Sequence, residues 1–183
     1  LNCLNKILEP QRESRANPYF ISKRDNYYGL EKIFSYYYDV ELFEEFIKEG
    51  NRSNQKRIKM KFYQQAVEIY QADFLVDDLT TDWIVEEKER LEKKYLDIAE
   101  ELMKYHYEEE DYQDSIEIAD KILNKNQYIE AAYLYKIMSY NQLGKRALAI
   151  ETYQNCRLTL VEELDIKPNQ KLQSYYEYLK ISE

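Results

Sequence analysis

Few side chains in this 183-residue chain are of the type and spacing that do covalent chemistry. The one histidine, His106, has a tyrosine on either side and is followed by Glu108-Glu109-Glu110-Asp111. An imidazole near carboxylates is raw material for acid–base catalysis. An acidic run at a turn between helices, however, reads first as a solvated stretch, and His106 reads as a packing or surface residue. Metal ligation draws on His and Cys clustered at close spacing. The two cysteines, Cys3 and Cys156, stand far apart, and the sequence shows no such cluster. Gly29, Gly50 and Gly144 are too scattered to form a phosphate-cradling loop. The expectation is a protein that is not an enzyme, with no catalytic residue, no metal ligand and no cofactor.

A second set of side chains points to binding. Tyr19-Phe20-Ile21 and Tyr27-Tyr28-Gly29-Leu30 are β-prone, and the turn-type segment Lys23-Arg24-Asp25-Asn26 lies between them. That pattern predicts a hairpin with Lys23 and Arg24 at its tip. Upstream, Leu1, Leu4 and Leu8, with Ile7, follow helical spacing until Glu9-Pro10 stops it. Asn2, Asn5 and Lys6 fall on the opposite face. A helix end, a polar loop over residues 11–18 and a basic-tipped hairpin together read as the back half of a winged helix. In such a domain the helix side chains meet base edges or phosphates in the major groove, and the hairpin tip meets phosphates or the minor groove. The candidate DNA-binding residues are therefore Asn2, Asn5, Lys6, Lys23 and Arg24.

The remainder of the chain is helical. Phe34–Tyr38 reads as one more short strand, Asp39 as a helix N-cap, and Val40, Phe43 and Phe46-Ile47 as a short helix ending at Gly50. A helix beginning at Ser53 or Asn54 places Ile58, Phe62, Ala66 and Tyr70 on one face, and residues 72–81 form a connection. From Asp82 to about Tyr107 a long helix carries Ile84, Leu91, Ile98 and Tyr105 seven apart, with Tyr95 and Leu102 between them. Trp83 is expected to pack this helix on the 53–71 helix. Helices around Tyr112–Leu123, Ala131–Tyr140 and Ala149–Leu164 follow. The Ala131–Tyr140 helix is apolar most of the way round, as an inner helix would be. Pro168 interrupts, Asn169 can cap, and Leu172–Leu179 closes the chain.

These helices repeat. Ser115-Ile116-Glu117 falls on Ala149-Ile150-Glu151, and Glu110 on Gly144, at an offset of 34 residues. That offset is the period of tetratricopeptide (TPR) helical hairpins. A small residue, Ser115 or Ala149, sits where the second helix of each hairpin crosses the first. Cys156 reads as a small buried residue of such a helix.

Composition agrees. Three Gly, three Pro and 33% charged residues are a helical composition, and 44% hydrophobic residues can build a core. Tyrosine is abundant at 20 residues, part of it serving as large packing surface. The net charge of −9 argues against the whole chain coating nucleic acid. The charge is uneven: residues 1–38 hold six Lys/Arg against four Asp/Glu, a balance of +2, which leaves −11 on the remainder. Two modules explain the split. Two distant cysteines do not make a disulfide framework and fit a reducing, cytoplasmic compartment. No apolar run reaches the 18 residues of a membrane span. The chain opens at Leu1, inside an expected helix, as a fragment of a longer protein would.

From Ala66 to Leu179 the chain resembles the bacterial transcriptional activator domain (BTAD) of the SARP-type regulators. The likeness is carried by Ala66-Val67-Glu68-Ile69-Tyr70 leading through Phe74-Leu75 to Asp82-Trp83, and by Glu89-Arg90-Leu91 and Tyr95-Leu96. It continues through the acidic turn Glu110-Asp111-Tyr112, Leu143-Gly144-Lys145-Arg146-Ala147, Tyr153-Gln154-Asn155-Cys156-Arg157, and Glu162-Glu163-Leu164 with Pro168 four residues on. Such regulators carry a winged-helix domain directly before this module, joined by a segment like Tyr38-Asp39-Val40-Glu41-Leu42-Phe43. The chain departs from the pattern at Asp165, where glycine is usual, and near Gln127, where a TPR proline is absent.

The resemblance implies a mainly α protein: a TPR-like helical-hairpin stack with a small N-terminal β-hairpin as the winged-helix remnant. Residues 1–38 would be the C-terminal part of the DNA-binding domain and residues 39–183 the activator domain. The implied function is that of a transcription activator. Promoter DNA would be its partner through the complete winged helix, and RNA polymerase or a second protomer its partner through the helical module. The alternative is a TPR adaptor or sensor that takes a peptide or small effector with no direct DNA role.

Overall fold

The computed structural model describes Gln11 and residues 21–25, 27–30, 38–70 and 82–181. The helix end expected over residues 1–9, the 11–18 loop beyond Gln11, the Phe34–Tyr38 strand except Tyr38, the 72–81 connection, and the side chains of Arg24 and Trp83 lie outside the described residues. The chain divides into two compact units, Leu1–Tyr38 and Asp39–Glu183.

In the first unit, β1 (Ile21–Arg24) and β2 (Tyr27–Leu30) pair antiparallel, with Lys23 opposite Tyr28 and Arg24 opposite Tyr27. Asp25 takes a left-handed φ of 55°, a conformation that Asp and Asn tolerate in tight hairpin turns. Ile21 is buried and Lys23 exposed.

The second unit holds seven helices among the described residues. They are α1 (Asp39–Arg52), α2 (Lys56–Ile69), α3 (Asp82–Glu108), α4 (Tyr112–Lys125), α5 (Glu130–Gln142), α6 (Arg146–Leu164) and α7 (Gln170–Ile181). Successive helices pack as antiparallel neighbours, and α5 touches α3, α4, α6 and α7. Four neighbours leave no face of α5 fully wet, which is why its apolar residues run round the cylinder. The expected TPR-like stack is the observed one.

Two hydrophobic clusters hold it. Phe43, Met60, Tyr63, Leu91, Leu102 and Ile122 belong to the first, which joins α1 to α4 and reaches Ala132 of α5. The second joins α5, α6 and α7 through Ile137, Tyr153, Leu160, Leu172 and Leu179. Charged side chains clamp α1 onto α3 at the rim of the first: Glu44 accepts from Arg90 and Lys94, each at 2.5 Å.

Three local expectations change. The first helix does not stop at Gly50 but continues to Arg52, and Gly50 is buried. A Cβ there would stand 2.9 Å from the Tyr63 ring, so this glycine lets α2 close on α1 rather than ending α1. The buried face of α2 is Met60, Tyr63, Ala66 and Val67, while Ile58 is 40% exposed. The Ile58-Phe62-Ala66-Tyr70 stripe is rotated by part of a turn from the true one because tyrosine and methionine supply most of the contact. Ser53 and Asn54 precede the helix. The helix starts at Lys56, and the Ser53 hydroxyl accepts from the Gln55 N–H instead.

The 34-residue repeat is visible in the backbone. At the end of α3, Glu110 N–H donates to Tyr107 C=O and Asp111 N–H to His106 C=O. At the end of α5, Gly144 N–H donates to Asn141 C=O and Lys145 N–H to Tyr140 C=O. Every partner is shifted by 34. Both turns are Schellman closures, in which one residue must adopt the left-handed region. Gly144 does so at φ 70° and Glu110 at φ 67°. A side chain pays for that conformation with strain, and glycine does not. Glu110→Gly is therefore expected to stabilise the fold by about 0.5–1 kcal/mol after the added flexibility of the unfolded chain is subtracted. The urea midpoint of the variant measures it.

Ser115 and Ala149, paired by the same offset, are both fully buried. The Ser115 hydroxyl donates to Met103 C=O across the crossing at 3.1 Å. Asn169 caps α7 by accepting from Leu172 N–H at 3.1 Å.

Candidate functional site

Two features stand out among the described residues of the helical unit, and the first begins at the α3–α4 turn. Because the Schellman closure folds the chain back over His106, residues five and eight positions later return to it. The carboxylates of Asp111 and Asp114 each come to 3.8 Å from His106 Nδ1. The three ligand atoms lie within 4.8 Å of one another. Nδ1 is buried and has no hydrogen-bond partner, whereas both aspartate side chains are 59% exposed. No cluster was expected here. The spacing of five and eight fits no helical template and becomes a neighbourhood only through the left-handed residue at Glu110. The match of Glu110 to Gly144 was the one signal in the sequence that could have revealed it.

His106 and Asp114 also line a cleft of about 350 Å³ bordered by α2, α3 and α4. Its floor is apolar, made by Met60, Leu102 and Ile118, all buried. Arg57 and Lys61 line it from α2, and Glu117 and Lys121 from α4. The neighbouring lysines of α2 close directly onto acids of α3, with Lys56 on Glu108 at 2.5 Å and Lys59 on Glu101 at 2.6 Å. Around the cleft, among the described residues, Arg57, Lys61 and Lys121 form no such ion pair. A general base needs its partner within about 2.6–3.2 Å. The lining residues include no serine, threonine or cysteine to act as nucleophile. The cleft thus sets charge of both signs over an apolar floor.

The second feature is a hollow of about 650 Å³ between α5 and α7, lined by Leu134, Met138, Lys171, Tyr175 and Tyr178. It carries less charge than the cleft.

Cys156 is fully buried, as expected of a small packing residue, and burial pushes its thiol up to about 12. A thiol with that pKa stays protonated and is a poor nucleophile. Burial likewise pushes the Tyr95 phenol up to about 12. Of the residues expected to meet DNA, Lys23 is exposed and the Arg24 backbone pairs with β2. Asn2, Asn5, Lys6 and the Arg24 side chain lie outside the described residues. Among the described residues no helix is long and apolar enough to cross a membrane.

A family model described as the bacterial transcriptional activator domain matches residues 38–180. Among solved structures, the chain is similar to the C-terminal TPR-containing domain of a Plasmodium falciparum protein described as FK506-binding. The two share 17% identity with a TM-score of 0.54, over 79% of this chain and 91% of that one. At that identity the likeness is one of fold. The comparison with curated proteins gives no match.

Proposed function

The chain belongs to the bacterial transcriptional activator domain family, and on that premise we propose that it is part of a DNA-binding activator whose two units divide the work. The family match over residues 38–180 carries this reading. Residues 1–38 would be the C-terminal part of a winged helix, with its recognition helix offering Asn2, Asn5 and Lys6 and the wing offering Lys23 and Arg24. Residues 39–183 would contact RNA polymerase or a second protomer. Their excess of acidic residues suits protein contacts and repels the phosphate backbone. The mechanism is recruitment: DNA affinity and a polymerase contact add, so promoter occupancy rises with no covalent chemistry. The site of action would be the cytoplasm.

The salt dependence of binding tests the DNA half. In the whole regulator, carrying a complete winged helix, each phosphate contact contributes about 0.9 to the slope of log K against log salt. Lys23→Ala with Arg24→Ala is expected to reduce the slope by about 2 in fluorescence anisotropy on the regulator's own promoter. An unchanged slope and affinity would remove Lys23 and Arg24 from the DNA interface.

A further inference from the structure

The β1–β2 hairpin carries two residues that its own fold does not explain. Side chains alternate across a strand, and residues directly opposite in an antiparallel pair share a face. The pairs Ile21–Leu30 and Lys23–Tyr28 therefore belong to one face, and Ser22–Gly29 and Arg24–Tyr27 to the other. Ile21 is buried, so its face is the one turned inward. Tyr27 and Gly29 are neighbours on the opposite face of β2.

Tyr27 is 81% exposed, more than any other large hydrophobic residue among the described residues. A phenol ring standing in water adds little packing to the hairpin, and covering it would remove a large apolar area from solvent. Gly29 beside it has neither of the usual structural reasons to be glycine. Its φ is not left-handed, and a Cβ built on it meets nothing within 4 Å. Glycine inside a strand weakens the strand and marks places where another molecule comes close to the backbone. An exposed ring beside a bare stretch of strand forms a step. A surface can close on the backbone at Gly29 and meet the ring at Tyr27.

Charge indicates which surface. Lys23 and Arg24 precede the turn, but Asp25 in the turn is exposed as well, so the tip keeps a net of one positive charge. Such a tip draws a polyanion without holding it firmly. The backbone of DNA alternates phosphates with deoxyribose rings, whose C–H faces are apolar. An uncharged ring laid on deoxyribose adds affinity that salt does not screen.

We propose that Tyr27 and Gly29 make a non-ionic contact to promoter DNA. The Tyr27 ring packs on deoxyribose next to the phosphates that Lys23 and Arg24 meet, and Gly29 lets the strand come close enough for it to do so. The inference rests on the reading of residues 1–38 as part of the DNA-binding unit, and it adds a contribution of a different physical kind.

The test is fluorescence anisotropy of the whole regulator on its own promoter across a series of salt concentrations. Tyr27→Ala is expected to weaken binding about tenfold at every salt concentration and to leave the slope of log K against log salt unchanged, in contrast to the loss of Lys23 and Arg24. Tyr27→Phe keeps the ring and should bind within about twofold of wild type. Gly29→Ala is expected to weaken binding about fivefold or more. Its thermal midpoint should hold or rise, because the added methyl meets nothing in the protein and restricts the unfolded chain. Wild-type affinity in both Tyr27→Ala and Gly29→Ala, beside a reduced slope for Lys23→Ala with Arg24→Ala, would overturn the proposal and leave the DNA reading standing. A whole regulator that binds no promoter would overturn both. Wild-type promoter affinity of Tyr27→Ala with transcription lost would assign the face to a protein partner and overturn the proposal as well.

Discussion

Phe43→Ala is expected to cost the helical unit about 3–5 kcal/mol, the range for emptying a buried aromatic site. Phe43 is 1% exposed. Its ring lies 5.2 Å from Tyr70, which stacks on Tyr95 at 4.6 Å. These three rings join α1, the end of α2 and the middle of α3, so the loss is not confined to one helix. Truncation leaves a void that Gly50 cannot help to close, since the α1–α2 approach is already at contact with Tyr63. A domain of this size has roughly 5–15 kcal/mol in total. The variant should therefore unfold at a much lower urea concentration, followed by far-UV circular dichroism. A loss below about 1 kcal/mol would show that the first cluster collapses around the gap and that Phe43 does not anchor it.

Leu160→Ala is expected to cost about 2–5 kcal/mol, and in a different place. Leu160 is 1% exposed in the second cluster, with Ile137 of α5 and Leu172 and Leu179 of α7. Its carbonyl also accepts from Ile166 N–H in the turn after α6. In stacks of helical hairpins each unit touches only its neighbours, so stability is close to a sum of local terms. Amide exchange of the variant should accelerate across α5, α6 and α7 and stay near wild type in α1 and α2. Uniform acceleration would mean that the seven helices unfold as one unit and that the two clusters are one core in energetic terms.

The helical architecture was legible because several levels agreed. The heptad ladder of the long helix is buried at Ile84, Leu91 and Ile98. The 34-residue offset reappears as matched hydrogen bonds at both turns. Asn169 caps where a cap was expected. The two departures from the family pattern have local explanations. Asp165, standing where glycine is usual, still takes the left-handed conformation at φ 53° and ends α6. In place of the TPR proline, Gln127 and Tyr128 both reach Glu163, at 2.8 and 2.5 Å, and tie the α4–α5 turn to α6.

What was not legible depended on the third dimension. Gly50 has the sequence signature of a helix end, and only the approach of Tyr63 shows why it is inside one. Ile58 continues an apolar stripe on paper and stands exposed in the fold, because Met60, Tyr63, Ala66 and Val67 form the buried face. His106, Asp111 and Asp114 are unremarkable at spacings of five and eight, since acidic residues after a helix usually face water. A left-handed residue between them turns that run into a constellation.

The division of labour between the two units is tested most directly by transcription in vitro from the regulator's own promoter, with purified RNA polymerase and DNA occupancy read in the same reaction. The whole regulator and a version ending at Tyr38 are compared. The expected result is that the shortened protein still occupies the promoter when its concentration is raised, while transcript falls to the level without activator. Full activation by the shortened protein at equal occupancy would contradict the assignment of the protein contacts to residues 39–183.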